Sequence, residues 1–304
     1  MESATKILIT GATGFTGAYV LRRFLRHRDR YAISILVRSK EKASQQGYDS
    51  LPIQIHYGDI TDSQVLSRSL VGVSTLIDTV PLTLGYTSDI IAACRESGTR
   101  RLVVLGNTSI FTTMDPEARS VILAAEDCIR TGGLEYTILR PTMIFGAAGD
   151  RNMSRLIDFV RRSPLIPILG PGTYLHQPVY VADVARAVLQ AELSPNAVNE
   201  EYNISGSTPL SFNATIDTIS NLLQKRTLKL HVPYWFSYAA FFLCERIPLL
   251  SSIRLEQVER LNQDKAFSYE RAANDFGFAP LDFETAIKHE IDELLQQGRS
   301  EGRR

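Results

Sequence analysis

The chain has 304 residues, 44% hydrophobic and 22% charged, the composition of an ordinary globular protein long enough for a large domain and a smaller one. Its 33 basic residues balance its 33 acidic ones, so net charge gives no reason to expect a nucleic-acid partner. Three scattered cysteines and five scattered histidines predict neither a disulfide framework nor a metal site. No signal peptide fits before the first strand, and no apolar run reaches the roughly 20 residues that span a bilayer, so we predict a cytoplasmic protein.

The first predicted strand, Lys6–Thr10, runs directly into the glycine-rich segment Gly11–Gly17, which an amphipathic helical pattern follows. A dinucleotide-binding fingerprint requires this order of strand, glycine turn and helix. Gly11 permits a tight turn, Gly14 lets the backbone approach a pyrophosphate, and Gly17 lets the helix pack against the strand. The main-chain N–H groups at the positive end of the helix then face the phosphates.

Short apolar strands alternate with helices through the first half of the chain. We predict strands at Lys6–Thr10, Ala32–Val37, Ile53–Tyr57, Ser74–Val80, Arg101–Leu105 and Tyr136–Arg140. This alternation predicts right-handed βαβ units and an α/β, Rossmann-like, doubly wound parallel sheet. The cofactor domain is expected to cover residues 1–150, with 176–205 completing it.

The alternation ends beyond Gly146, where helical patterns dominate. We predict helices at Asn152–Arg162, Val181–Leu193, Phe212–Leu223, Tyr234–Arg246, Ile253–Leu261 and Phe283–Gln297. Residues 206–304, with 151–175, therefore form a smaller, mainly helical substrate or cap region. Its aromatic stretch Tyr234–Leu243 has few basic flanks, so we expect a core helix rather than contact with a membrane surface.

Four segments resemble, in order, motifs of the extended and atypical short-chain dehydrogenase/reductase superfamily. They are TGATGFTG at Thr10–Gly17, YGDITD at Tyr57–Asp62, LRPTMIFG at Leu139–Gly146 and QPVYVADVARAV at Gln177–Val188. The resemblance implies an NAD(P)-binding protein like the NAD-dependent epimerases and dehydratases. The last two segments also resemble the accessory NADPH-binding subunit of respiratory complex I, and NmrA-like redox sensors share the fold.

The resemblance also implies cofactor contacts, from the pyrophosphate through the adenine and ribose to the nicotinamide. Asp59 and Ile60 would flank the adenine, Thr79, Val80 and Pro81 would pass beside the nicotinamide ribose, and Pro141, Thr142 and Met143 would lie near the nicotinamide. The pyrophosphate would lie on the glycine-rich segment, against Gly11, Thr13, Gly14, Phe15, Thr16 and Gly17. His176 stands where sugar-nucleotide enzymes of the family often carry an arginine for the substrate's diphosphate.

The end of the second predicted strand bears on the choice between NAD and NADP. Sites selective for NAD usually carry a carboxylate there for the adenosine 2′-hydroxyl. This chain has Arg38 at that place, with Ser39 and Lys40 beside it. A guanidinium binds a 2′-phosphate in a bidentate way, so we predict NADP(H) as the preferred cofactor and NAD(H) as the alternative.

The superfamily's acid–base pair is missing from the sequence. Active members use a tyrosine and, four residues later, a lysine that lowers the tyrosine's pKa and binds the ribose. Alignment on Ala125 and Glu126 places Ala118 and Ile122 at these positions, and the segment Phe111–Thr131 contains neither tyrosine nor lysine. A tyrosine near pKa 10 needs such a positive charge to act as a base at neutral pH.

The polar residues Asn107, Thr108 and Ser109, after the fifth strand, are the remaining catalytic candidates, because the family orients a substrate carbonyl there. Other titratable residues, on segments predicted to face the nicotinamide, are Asp115, Glu117 and His176, and Tyr86 after the fourth strand could approach the cleft from the other side. Two interpretations stay open. The protein is an NADP(H)-dependent oxidoreductase, epimerase or dehydratase acting on a nucleotide-sugar-like or small carbonyl substrate, or it is a non-catalytic NADP(H)-binding sensor or structural protein.

Overall fold

The computed structural model describes residues 4–112, 116–146, 150, 152–233 and 263–301. The predicted helices Tyr234–Arg246 and Ile253–Leu261, the aromatic stretch Tyr234–Leu243 and the candidate Asp115 lie outside the described residues. The chain divides into two compact units. Unit 1 contains Met1–Pro141, Val181–Ile204 and Ser268–Ala279, and unit 2 contains Thr142–Tyr180, Ser205–Phe267 and Pro280–Arg304.

The strands and helices of the described residues follow the chain in this order. The strands are β1 (Thr5–Thr10), β2 (Tyr31–Val37), β3 (Gln54–Tyr57), β4 (Thr75–Asp78), β5 (Arg101–Leu105), β6 (Glu135–Pro141), β7 (Ile144–Phe145), β8 (Leu165–Leu169), β9 (Leu175–His176), β10 (Val179–Tyr180), β11 (Glu200–Ile204), β12 (Leu210–Ser211) and β13 (Leu228–Val232). The helices are α1 (Phe15–Leu25), α2 (Lys40–Gln45), α3 (Ser63–Ser69), α4 (Thr87–Ser97), α5 (Pro116–Thr131), α6 (Met153–Arg162), α7 (Val181–Leu193), α8 (Phe212–Leu222), α9 (Glu270–Phe276) and α10 (Phe283–Glu301).

The centre of unit 1 is a seven-stranded sheet in the order β11-β6-β5-β4-β1-β2-β3. All its neighbouring strands are parallel, which confirms the predicted Rossmann-like fold. The strand order reverses between β1 and β4. In such sheets ligands bind beyond the carboxyl ends of the strands at this reversal.

Helices cover both faces of the sheet in unit 1. Helices α3, α4 and α5 pack side by side on one face, and α1 packs against α7 on the other. Strands β4 and β5 are buried along their whole length, because a parallel sheet covered on both sides leaves its central strands no exposed face. The core beneath α4 and α5 joins Leu8 of β1 and Leu76 of β4 to Ile90 and Ile122 of the helices.

Unit 2 has its own apolar core, in which Phe145, Ile157 and Ile216 pack with Phe283 and Ile287. Its described strands form three pairs: β7 with β10, β8 with β13, and β9 with β12. The sequence pattern did not predict β8, because its segment is rich in proline and glycine and proline inside a short run argues against a strand. Proline is tolerated there since both strands of a pair are edges. None of the described helices combines the length and the apolar character that crossing a membrane requires.

Candidate functional site

The segment between β1 and α1 turns tightly enough that only glycine fits at two positions. Gly11 has φ +73°, in the left-handed region, and a Cβ on it would lie 2.5 Å from Thr79 Oγ1. A Cβ on Gly17 would lie 2.1 Å from the carbonyl oxygen of Gly11. The Gly14 N–H closes the turn by donating to the Gly11 carbonyl at 2.8 Å. Gly11 and Gly17 are both required, because main-chain and side-chain atoms of Gly11 and Thr79 occupy the space that a Cβ would need.

Helix α1 begins at the glycine turn without a polar cap. Gly14 is its N-cap residue, no side chain within the described chain caps it, and its first turn carries no acidic residue. The first N–H groups of a helix have no intrahelical partner and sit at the positive end of its dipole. This is the arrangement that binds a phosphate, so the residues present fit a cofactor pyrophosphate.

The carboxyl ends of β1 and β4 are held together directly beneath the glycine turn. Thr10 Oγ1 donates to Asp78 Oδ1 at 2.6 Å, and Thr79 Oγ1 donates to the Thr10 carbonyl at 2.7 Å. The Val80 N–H donates to the same Asp78 oxygen at 3.0 Å. Thr79 and Val80 were predicted near the cofactor, whereas Asp78 was not. A carboxylate directly after the apolar pair Leu76-Ile77 of a predicted strand was the sequence signal for it.

Asp78 is 2% exposed. Burial raises the pKa of its carboxyl to about 6, although the hydrogen bonds from Thr10 and Val80 act in the opposite direction. Removal from water penalises the charged form. The site therefore contains a carboxyl that titrates close to neutral pH.

A second segment supports the outer side of the turn. The Tyr48 hydroxyl donates to the Ala12 carbonyl at 2.7 Å, and the Gln46 amide donates to the Thr13 carbonyl at 3.3 Å. The predicted lining residues Phe15 and Thr16 begin α1 and are half-buried. Tyr48 and Gln46 were missed by sequence reasoning, because they lie after β2 in a stretch without a motif.

The predicted adenosine end of the site contains the ion pair of Arg38 and Asp59. Arg38 Nη1 lies 3.7 Å from Asp59 Oδ2, and the two side chains are 78% and 41% exposed. Hydrogen bonds from the Thr61 N–H and hydroxyl, and then the charge of Arg38, lower the pKa of Asp59. Ile60 is buried in the core of unit 1. Because most of the Arg38 side chain is exposed, its guanidinium is accessible to a phosphate from solvent.

The three predicted catalytic residues differ in how their side chains are used. Asn107 Oδ1 accepts from the Ser109 N–H at 2.8 Å, and Thr108 Oγ1 donates to the Pro141 carbonyl at 3.3 Å. Ser109 is half-buried, and its hydroxyl makes no hydrogen bond to any described residue. Two of the three side chains thus hold the turn after β5, whereas the Ser109 hydroxyl takes no part in the hydrogen bonds of the turn.

The position of the family's lysine belongs to the core. Ile122 is 2% exposed and packs on the face of α5 that covers the sheet. Among the other titratable candidates of unit 1, Glu117 is exposed, and the Tyr86 hydroxyl is buried without a hydrogen-bond partner among the described residues. The fold therefore offers no charged group at position 122 to activate a tyrosine.

A buried charge network ties α5 to β6 and β11. Arg140 Nε and Nη2 donate to the two oxygens of Glu126 at 2.7 and 2.6 Å, and Arg140 also contacts Glu201. Arg130 bridges the same carboxylates, with Nε 2.5 Å from Glu201. A Cβ on Gly106 would lie 3.1 Å from Glu126 Oε1. Glu126 thus lies close against Gly106, the residue before Asn107.

The remaining predicted residues Thr142, Met143 and His176 belong to unit 2. Thr142 Oγ1 donates to the Gln177 carbonyl at 2.5 Å, and the Met143 carbonyl accepts from the Val179 N–H at 2.9 Å. His176 lies in β9, paired with β12. The roles predicted for these three residues stay predictions.

A parallel sheet with an uncapped glycine turn at its reversal of strand order defines a dinucleotide-binding protein of the Rossmann type. The chain belongs to the NAD dependent epimerase/dehydratase family, whose model matches residues 7–205. This confirms the superfamily that the four motifs indicate.

Individual relatives match over nearly the full length of the chain. Sterol-4-alpha-carboxylate 3-dehydrogenase, decarboxylating, of Mus musculus is 24% identical, over 92% of this chain and 88% of its own. Triphenylmethane reductase of Citrobacter sp., solved with NADP(H), has a TM-score of 0.74 at 21% identity, covering 93% of this chain and 99% of its own. UDP-glucuronic acid 4-epimerase of Bacillus cereus, solved with NAD, has a TM-score of 0.74 at 18% identity, covering 96% of this chain and 100% of its own. The two solved structures share the fold of this chain.

Proposed function

We propose that this protein is an NADP(H)-dependent oxidoreductase of the epimerase/dehydratase family that transfers hydride without a tyrosine–lysine pair. The observation that carries the proposal is the exposed Arg38 at the end of β2, on the same sheet as the uncapped glycine turn. A carboxylate at that strand end would repel a 2′-phosphate, whereas a guanidinium binds it. A dehydrogenase and a reductase solved with NADP(H) are among its relatives, which supports this assignment.

Each part of the proposed cofactor has residues to hold it. The free N–H groups of Phe15, Thr16 and Gly17 at the start of α1 would hold the pyrophosphate, and the Arg38 guanidinium, now paired with Asp59, would hold the 2′-phosphate. When bound, the cofactor supplies the hydride. A small carbonyl or nucleotide-sugar-like substrate is oriented by Ser109, whose hydroxyl can donate to the carbonyl oxygen, and water supplies the proton.

A second candidate function is a non-catalytic NADP(H)-binding sensor or structural protein. It is favoured by Ile122, since the residue that would activate a tyrosine is replaced by a core side chain. Both candidates require cofactor binding and differ only in turnover.

One pair of measurements separates the two functions. NADPH binding is followed by the cofactor's fluorescence, and turnover by its absorbance with a panel of small carbonyls and nucleotide sugars. We expect binding, and oxidation of NADPH by at least one carbonyl. Ser109→Ala should lower that rate about tenfold or more and leave the Kd for NADPH unchanged. Binding with no turnover across the panel would favour the non-catalytic function, and absence of binding would overturn both.

A further inference from the structure

Asp78 combines three features that no cofactor contact requires. It is buried at the carboxyl end of β4, its hydrogen-bond partner Thr10 immediately precedes the glycine turn, and among the described residues no lysine or arginine forms an ion pair with it. We propose that Asp78 is a positioning residue that takes up a proton when the cofactor's pyrophosphate binds above it. This inference rests on the proposed cofactor binding.

Among the described residues, the titratable groups that interact with Asp78 lie on the side of α4. The Tyr86 hydroxyl and the Cys94 thiol both interact electrostatically with it, and burial is the main reason that the pKa of each is raised. Both groups are neutral when Asp78 titrates. From β1 the neighbouring group is the Thr10 hydroxyl, and from the chain after β4 it is the Val80 N–H. Asp78 is therefore the one group of this set whose charge changes near neutral pH.

The hydrogen bonds around Asp78 can accommodate either charge state. As a carboxylate, Asp78 accepts from Thr10 Oγ1. The same hydroxyl lies 3.4 Å from the Ile77 carbonyl, so it can donate to that carbonyl oxygen and accept a hydrogen bond from the O–H of the neutral carboxyl. The Thr79 hydroxyl holds the Thr10 carbonyl in both cases. Proton uptake thus leaves the backbone of the glycine turn in place.

Charge explains why binding and protonation are coupled. Pyrophosphate on the glycine turn adds negative charge on the other side of Thr10, and charges interact strongly where protein replaces water. Binding therefore raises the carboxyl's proton affinity, and by linkage the protonated protein binds the cofactor more tightly. The proton comes from the buffer, and no bond of the cofactor changes.

The test is calorimetric titration of the full chain with NADPH from about pH 5 to about pH 8, in buffers of different ionisation enthalpy that report the protons taken up. The comparison protein is Asp78→Asn, whose amide oxygen still accepts from Thr10 and Val80. The 2′-phosphate, which titrates near pH 6, contributes equally to both proteins and cancels in the difference. We expect the affinity of the natural chain to fall about tenfold relative to Asp78→Asn as pH rises through this interval, and more protons to be taken up on binding to the natural chain than to Asp78→Asn.

Equal pH dependence and equal proton uptake in the two proteins would overturn the inference while leaving the proposed function intact. Absence of NADPH binding to the natural chain would overturn the proposed function and this inference with it. Thr10→Val provides a second test if Asp78→Asn does not fold. It removes the hydroxyl that stabilises the carboxylate, so the fall in affinity should move to higher pH, and an unmoved profile would contradict the proposal.

Discussion

The Arg38 guanidinium at the end of β2 lies 3.7 Å from the Asp59 carboxylate that follows β3, and both side chains face solvent. Exposed pairs of this kind contribute no more than about 1 kcal/mol, because water screens both charges. The guanidinium can therefore leave Asp59 for a phosphate at little cost in free energy. This relationship makes the cofactor preference testable.

Arg38→Asp should weaken NADPH binding by about tenfold to a hundredfold, the loss expected when a charged hydrogen bond to phosphate is replaced by repulsion. NADH binding should change far less, because NADH carries no 2′-phosphate. Fluorescence titration with each cofactor provides the measurement. Arg100→Asp is the matched control, since Arg100 is equally exposed and pairs with Glu135 at 3.9 Å beside the amino end of β5. Equal losses for NADPH and NADH would contradict the assignment.

Gly17→Ala should abolish cofactor binding, because a Cβ there would lie 2.1 Å from the Gly11 carbonyl oxygen and would force the turn open. Gly14→Glu should also abolish it, since the added side chain would occupy the pyrophosphate's path. Gly98→Ala is the control for Gly17→Ala. Gly98 has a positive φ and open space around it, so this substitution should cost about 1 kcal/mol of stability and leave cofactor binding unchanged. Binding by Gly17→Ala with natural affinity would be incompatible with the proposed site.

Ile122→Lys should lower the free energy of unfolding by about 3 kcal/mol or more, because it buries an ammonium group in the core beneath α5. Val121→Lys, on the neighbouring and 38% exposed residue, should change stability by less than about 0.5 kcal/mol. Urea unfolding followed by circular dichroism measures both. Comparable stability of the two variants would show that position 122 can hold the family's lysine.

Glu126→Gln should destabilise the protein by about 3 kcal/mol or more, because it leaves the buried Arg140 with half of its charge compensation. Glu135→Gln removes one carboxylate from the exposed pair with Arg100 and should cost less than about 1 kcal/mol. Urea unfolding again gives both values. A small loss for Glu126→Gln would mean that the network contributes little to the fold of unit 1.

We expect the stability of unit 2 to depend on pH because of the buried carboxyl of Glu290. Burial, and then the charges of Asp150 and Glu293, raise the pKa of this glutamate to about 8. The folded state keeps a proton on Glu290 that the unfolded state releases near pH 4.3. The stability that the protonated Glu290 contributes is therefore complete below about pH 4 and is lost as pH rises to about 8. Glu290→Gln should therefore gain stability relative to the natural chain as pH rises, by up to about 5 kcal/mol.

Thermal unfolding of both proteins across that pH range provides the measurement for Glu290. The difference between the two proteins isolates Glu290 from Asp78, whose pKa is also raised. A difference that does not change with pH would show that Glu290 is not held protonated.

The sequence predicted the glycine segment, the arginine at position 38 and six of the seven strands in the sheet of unit 1. The reason is physical: apolar strands alternating with amphipathic helices, and glycines at fixed offsets, are local patterns that backbone geometry and burial impose. Sequence reasoning also found that position 122 carries isoleucine instead of the family's catalytic lysine, because residue identity alone decides this.

Only the tertiary structure decided which side chains support the site. Thr10 and Asp78 are 68 residues apart, and their hydrogen bond exists because β1 and β4 are neighbours in the sheet. Tyr48 reaches Ala12, and Glu126 reaches Arg140, for the same kind of reason. Sequence periodicity reports which face of an element is buried, but hydrogen-bond partners and shifted pKa values depend on what other elements pack against that face.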